Sequence, residues 1–202
     1  MAGWYMRLAV CGIETPEKKI LAQKLSLELN WPFLPKRTEE WIRSNYFIPI
    51  CSQNMSFDMF LKMHEDVVFD KIWKESRCRD FVSEGITVEN AIDVIFRFVN
   101  DVESGRDKLP KGITVNDIWR LYQYASSHAY RTYNVLALIP LDSSATSDQT
   151  MFYEALTMAL QVVKEKVYLL SSGDTNEQLD KLFWYLSKKV GVLSPEISVG
   201  KC

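Results

Sequence analysis

Two short turns carry the side chains best suited to chemistry. The first runs from Gly12 through Ile13, Glu14, Thr15, Pro16 and Glu17 to the paired lysines Lys18 and Lys19, after an apolar run and at the head of a helix-like stretch. Such a turn binds anions when consecutive backbone N–H groups point inward at a helix N-terminus and glycine lets the ligand come close. Two residues work against that use. Pro16 removes one backbone donor. Glu17 sets a carboxylate beside the expected phosphate, and like unit charges ~4 Å apart at an effective dielectric of ~20 repel by about 4 kcal/mol. The same residues also make an ordinary helix start, with Thr15 as N-cap, Pro16 in the first helical position and Glu17 in the first turn. The second turn closes Phe81-Val82-Ser83-Glu84-Gly85, a brief strand ending at Glu84, whose carboxylate has the chemistry of a base or metal contact.

Other reactive side chains stand apart. His64 and His128 are single histidines in helical segments and read as surface or partly buried helix side chains. Cys11, Cys51, Cys78 and Cys202 form no C-x-x-C pair, so neither a zinc site nor a disulfide framework is implied and reduced thiols in a cytosol are expected. Cys11, late in the first strand, reads as a small buried hydrophobe.

The elements that must position these turns follow from periodicity. Met6 to Gly12 reads as a strand and Glu17 to Leu29 as a helix with Ile20, Leu21, Leu25 and Leu29 on one face. Trp31 to Pro35 offers a second short strand, Phe57 to Lys74 an amphipathic helix, Asp80 to Gly85 a third strand and Val88 to Val102 another helix. Thr114 with Asp117 has capping-box spacing ahead of Ile118, Leu121, Tyr122 and Ala125. Asn134 to Leu141 is the clearest buried strand, stopped by Pro140. A helix at 151 to 165, a strand at Val167 to Leu170, and a helix headed by Thr175-Asn176-Glu177-Gln178, which has capping-box spacing, complete the pattern. Strands separated by helices of ten residues or more require a parallel sheet covered on both faces.

This order resembles that of the P-loop nucleoside and nucleotide kinases over roughly residues 5 to 188. The resemblance rests on Gly12 to Lys19 where G-x-x-x-x-G-K-[ST] should lie, on Phe81 to Gly85 where such kinases carry a strand ending in Asp-Arg, on Tyr133 to Pro140 as fourth strand, and on Val167 to Leu182 as fifth strand and last helix. It implies a three-layer α/β fold with a central, mainly parallel five-stranded sheet flanked by helices, as one domain over residues 1–191 with a flexible tail at 192–202. It also implies nucleotide-binding candidates, Gly12, Lys18 and Lys19, with Lys18 as the phosphate-contacting lysine, and Glu84 as the candidate catalytic carboxylate. The departures are coordinated. Glu17 replaces the second glycine, and Lys19 replaces the hydroxyl that would hold Mg²⁺, a task an ammonium without a lone pair cannot do. Gly85 replaces the strand-end arginine, and no arginine follows Arg131, so the lid arginines expected after the fourth strand are absent.

The 202 residues, 47% hydrophobic, suffice for one domain with a substantial core. A formal charge of −2, spread without blocks, gives no indication of nucleic-acid binding, and no run approaches the length of a membrane span. The cytoplasm is the expected location. Trp41, Tyr46, Phe47 and Ile48 cluster in a segment of irregular pattern and are candidates for a partner surface. The expectation is therefore a catalytically degraded nucleotide-kinase-like protein that works by binding a protein partner or another copy of itself, with no cofactor and no metal. The alternative is a divergent kinase of a nucleoside, nucleotide or other small metabolite, using ATP and Mg²⁺, or a protein that binds nucleotide without turnover.

Overall fold

The structure, a computed structural model, describes residues 5–36, 55–104 and 112–190. Five strands, β1 (Arg7–Cys11), β2 (Phe33–Leu34), β3 (Phe81–Glu84), β4 (Val135–Leu138) and β5 (Val167–Leu169), form a parallel sheet in the order β2-β3-β1-β4-β5. The helices described are α1 (Pro16–Leu29), α2 (Phe57–Arg77), α3 (Thr87–Glu103), α4 (Val115–Thr132), α5 (Ser147–Leu160) and α6 (Thr175–Val190), with a 3₁₀ turn at Gln161–Lys166. The three-layer α/β architecture implied by the sequence is the one observed.

Alternation along β1 explains the layers. Leu8 and Val10 point to one face and pack with Leu21 and Leu25 of α1 and Leu182 and Leu186 of α6. Ala9 and Cys11 point to the other, where Ile92, Ala129, Leu136 and Leu156 cover them. A further apolar cluster joins α2, α3 and α4 through Leu61, Val68, Val94, Ile118 and Ala125. Cys11 is buried, its thiol directed at the Ala137 carbonyl, and burial pushes its pKa up, as befits a small hydrophobe rather than a nucleophile.

Several boundaries differ from expectation. The helix expected at 151 begins four residues earlier, because Thr146 and Gln149 close a capping box. At α6 the cap is Asp174, not Thr175: its carboxylate accepts the N–H groups of Asn176 and Glu177. The expected box at Thr114 and Asp117 is present. The fourth strand is shorter than its apolar run, ending at Leu138, after which Ile139 N–H bonds back to the Cys11 carbonyl. Trp41, Tyr46, Phe47, Ile48 and the tail at 192–202 lie outside the described residues. Among the described residues no helix is long and apolar enough to cross a membrane.

One core residue makes the fold acid-sensitive. His64 on α2 is buried against the Phe60 ring, with centroids 4.4 Å apart, and its Nδ1 has no hydrogen-bond partner. Burial, aided by the charge on Lys36, pushes its pKa down to about 3. The unfolded chain takes up a proton near the ordinary histidine value while the folded chain does not. The His64 contribution to stability is therefore complete above ~6.5 and falls as pH drops toward 3, by about 2 kcal/mol at pH 5. On going from pH 7 to 5, the urea unfolding free energy of the wild type should fall by about 2 kcal/mol more than that of His64→Leu.

Candidate functional site

The loop after β1 emerges between β3 and β4, at the carboxyl edge of the sheet where the connections diverge to opposite sides, the place where open parallel sheets hold ligands. Gly12 has φ +140°, and a Cβ there would sit 3.4 Å from Ile139, so glycine is what allows the loop to turn against β4. The chain then enters α1 as the local sequence dictates. Thr15 is extended and its hydroxyl accepts the Lys18 N–H at 3.3 Å, with Pro16 opening the helix.

The loop's charge is met from within the protein. Lys18 has no exposed surface, and its ammonium donates to Glu89 Oε2 at 2.7 Å and to the Gly12 carbonyl at 3.0 Å. Glu89, equally buried in the first turn of α3, uses its second oxygen to accept the Gly12 N–H at 3.1 Å. One carboxylate thus takes both the loop's lysine and a loop amide, the two kinds of donor a phosphate oxygen would use. Gly85 makes the approach possible. It has φ +72°, and a Cβ there would come within 2.4 Å of Glu89 Oε2 and 3.3 Å of Lys18 Nζ. Lys19, by contrast, is exposed.

Glu84, the carboxylate singled out by sequence, is 3% exposed and accepts the backbone N–H of Lys36 at 3.2 Å. Its carbonyl accepts from Lys71 of α2, whose ammonium also reaches Ser83 Oγ at 2.7 Å. Beneath this lies Glu75, fully buried. It accepts the Tyr133 hydroxyl and pairs with His128 Nε2 at 2.6 Å, and Ser83 Oγ stands 3.2 Å away. Burial alone would raise the Glu75 pKa, but the His128 hydrogen bond and the Lys71 charge hold it below the usual carboxylate range. His128 is thus partly buried, as expected, with a specific partner the sequence did not reveal.

Two clefts flank Ile13. One, of about 380 Å³, is bounded by Thr15, Glu17, Pro140, Asp142 and Asp174, and its described lining contains no lysine or arginine. Ser144 hydrogen bonds keep the Asp142 carboxyl below its ordinary range, and the Glu177 and Asn176 amides do the same for Asp174. The other, of about 260 Å³, lies between Glu14, Lys36, Asp93 and the rings of Phe96 and Phe152. Lys36 is 2.7 Å from Glu14. Burial disfavours the Lys36 charge, yet Glu89, Asp93 and Glu14 outweigh it and hold its pKa above the ordinary lysine value. Asp93 is pushed up to about 6 by burial, with Lys36 opposing and Glu89 reinforcing the shift. Among the described residues no group of three or more His, Cys, Asp or Glu is placed to hold a metal ion.

The five-stranded parallel sheet flanked by helices is a fold this chain shares with solved P-loop kinases. The chain is similar to NadR in its complex with NAD and AMP-PNP (TM-score 0.64, 17% identity), covering 94% of this chain and 52% of that one, so it spans about half the length of NadR. It is also similar to deoxyadenosine kinase from M. mycoides with dCMP and dCDP (TM-score 0.60, 12% identity, 91% of this chain and 99% of that one) and to thymidylate kinase from Ehrlichia chaffeensis (TM-score 0.54, 14% identity, 91% and 98%). At these identities the likeness is one of fold. No protein-family model matches the sequence, and no curated protein matches it.

Sequence reasoning reached Gly12, Lys18 and Glu84 and missed Glu89, Lys71, Glu75 and Asp93. A glutamate in the first turn of a helix is an ordinary complement to the dipole, so Glu89 carries no special mark. The one signal was indirect, since a lysine buried at a helix start must find an anion. Removing that anion should cost heavily: Glu89→Ala leaves the Lys18 ammonium buried and unpaired and should lower unfolding free energy by about 3–5 kcal/mol. Lys18→Met combined with Glu89→Leu should recover most of that loss in urea denaturation.

Proposed function

We propose that this P-loop-kinase-fold chain has lost phosphoryl transfer and acts by binding another protein molecule. The observation that carries the reading is the Glu89 carboxylate on Lys18 and the Gly12 N–H. A triphosphate would have to displace a fully buried carboxylate and face the charges of Glu17, Asp142 and Asp174 in the adjoining cleft. The donor set present does not fit a magnesium nucleotide: the loop's lysine is neutralised, Pro16 supplies no N–H, and an exposed ammonium stands where a metal-binding hydroxyl would be. The carboxylate does for the folded chain what a bound phosphate does for an active kinase, fixing the loop and the first helix with no ligand. Substitutions at Glu17, Lys19 and Gly85, together with the missing lid arginines, fit the same reading, since transfer depends on positioned charge and several of its sources are gone together.

A divergent kinase is the second reading. It is favoured by the two clefts meeting at Ile13 and by the nucleotides bound to the NadR and deoxyadenosine kinase structures. In it Lys18 serves the phosphates and Glu84 is the base, which requires both buried side chains to become accessible.

Isothermal titration of the full chain with ATP, GTP and deoxynucleotides, each with Mg²⁺, separates the two. The first reading expects no magnesium-dependent heat at micromolar protein and no transfer to nucleosides or nucleotides. Micromolar magnesium-dependent binding would overturn the first reading, and turnover abolished by Lys18→Ala and Glu84→Gln would establish the second.

A further inference from the structure

The helix that braces the site from inside carries an unusual outer edge. Along α2 the inward positions His64, Val68, Lys71 and Glu75 are buried. The opposite edge presents Glu65, Phe69, Trp73 and Arg77 at successive spacings of four residues, one continuous ridge of the helix surface. Phe69 is 50% exposed and Trp73 is 56% exposed. Tyr124 of α4, 47% exposed, lies with its ring 5.2 Å from that of Phe69, so the aromatic surface continues onto a second helix. Large aromatic side chains left together in water are unfavourable on a monomer and are the common anchors of interfaces.

The order of the ridge identifies its occupant. Acid, aromatic, aromatic, base is complementary to itself when reversed. Laid antiparallel about a two-fold axis midway between Phe69 and Trp73, a copy of α2 brings Phe69 against the other's Trp73 and Glu65 toward its Arg77. Glu65 and Arg77 each lie six residues, about 9 Å, from the midpoint, so both ion pairs form at once. Arg77 already covers the Trp73 ring at 4.5 Å, which holds its guanidinium at the edge of the aromatic surface, and among the described residues the ion-pair contact Glu65 would give up is one of 3.9 Å with Lys62. A basic or acidic partner peptide would satisfy one end of the ridge and oppose the other.

We propose that the chain forms an isologous dimer through this ridge, with α2 of one protomer antiparallel to α2 of its partner and Tyr124 widening the contact. This rests on the binding role proposed above and names its partner as a second copy of the chain.

Sedimentation velocity and light scattering on the full chain at micromolar concentration should give twice the 23.4 kDa chain mass. Glu65→Arg and Arg77→Glu should each be monomeric, because each sets like charges face to face. An equimolar mixture of the two should return to dimer mass, since the heterologous pair restores both contacts. Trp73→Ser, at a position more than half exposed, should also be monomeric with its circular dichroism melt retained, and serves if a charge variant fails to fold. A wild type of monomer mass, a dimer unaffected by these substitutions, or a mixture that stays monomeric would overturn the proposal. Nucleotide titration of the monomeric Trp73→Ser protein tests the loss of transfer separately.

Discussion

A lysine sealed from solvent at the start of a helix is tolerable only if an anion is sealed in with it, and in this chain that constraint organises the carboxyl edge of the sheet. The Born cost of burying an ammonium is several kcal/mol even after relaxation, and only close, multiply bonded pairing offsets it. Lys18 meets Glu89 at 2.7 Å and the Gly12 carbonyl at 3.0 Å, while Gly12 N–H takes the other carboxylate oxygen. The pair joins α1 to α3 and accounts for Gly85, where a Cβ would collide with the Glu89 carboxylate, while Gly12 is called for by its φ of +140°. A phosphate-binding turn is ordinarily built to await a charged visitor. Here the Glu89 carboxylate supplies a negative charge to the loop's lysine and to the Gly12 amide from within the fold.

The sheet was legible in the sequence for a simple reason. β1 and β4 are continuous apolar runs because both faces are covered, and the alternation of such runs with long helices leaves few alternatives to a parallel three-layer fold. Cap positions were legible where reciprocal side chains stand at the right spacing, as at Thr114 and Asp117. They were misread where a neighbour competed: Thr175 has the right spacing, but Asp174, one residue earlier, has the stronger acceptor and takes both amides. The site was half legible. Gly12, Lys18 and Glu84 are marked by their place after strands. Glu89 is 71 residues from Lys18, and Glu75 meets His128 across 53 residues and Tyr133 across 58. Such pairings depend on which helix faces cross, information that periodicity does not contain.

Below the loop a second polar assembly serves a similar end. Lys71 is held by Ser83 and the Glu84 carbonyl, and Glu75 is held by Tyr133 and His128. The strand β3, whose end would present a catalytic carboxylate in an enzyme of this fold, is thereby fixed by its own neighbours, and Glu84 is committed to the Lys36 amide. Catalytic groups must be free to change partners during turnover. Groups hydrogen-bonded to neighbours within the fold hold one shape, and the members of both assemblies at this edge of the sheet have such partners.

The two faces of α2 then acquire a common purpose. Its inner stripe ends in Lys71 and Glu75, which hold β3, and its outer stripe carries Phe69 and Trp73 to the surface. An interface anchored by aromatic side chains gains most when the helix presenting them is already rigid, because little freedom is lost on association. The internal ion pairs supply that rigidity. A helix held down by buried charge on one side and left with exposed aromatic rings on the other is costly for a solitary domain and economical for one that associates. On the reading proposed above, the buried ion pairs beneath the loop and the exposed rings of α2 belong to one scaffold, so the groups that fix the carboxyl edge of the sheet also stiffen the helix that would meet a partner.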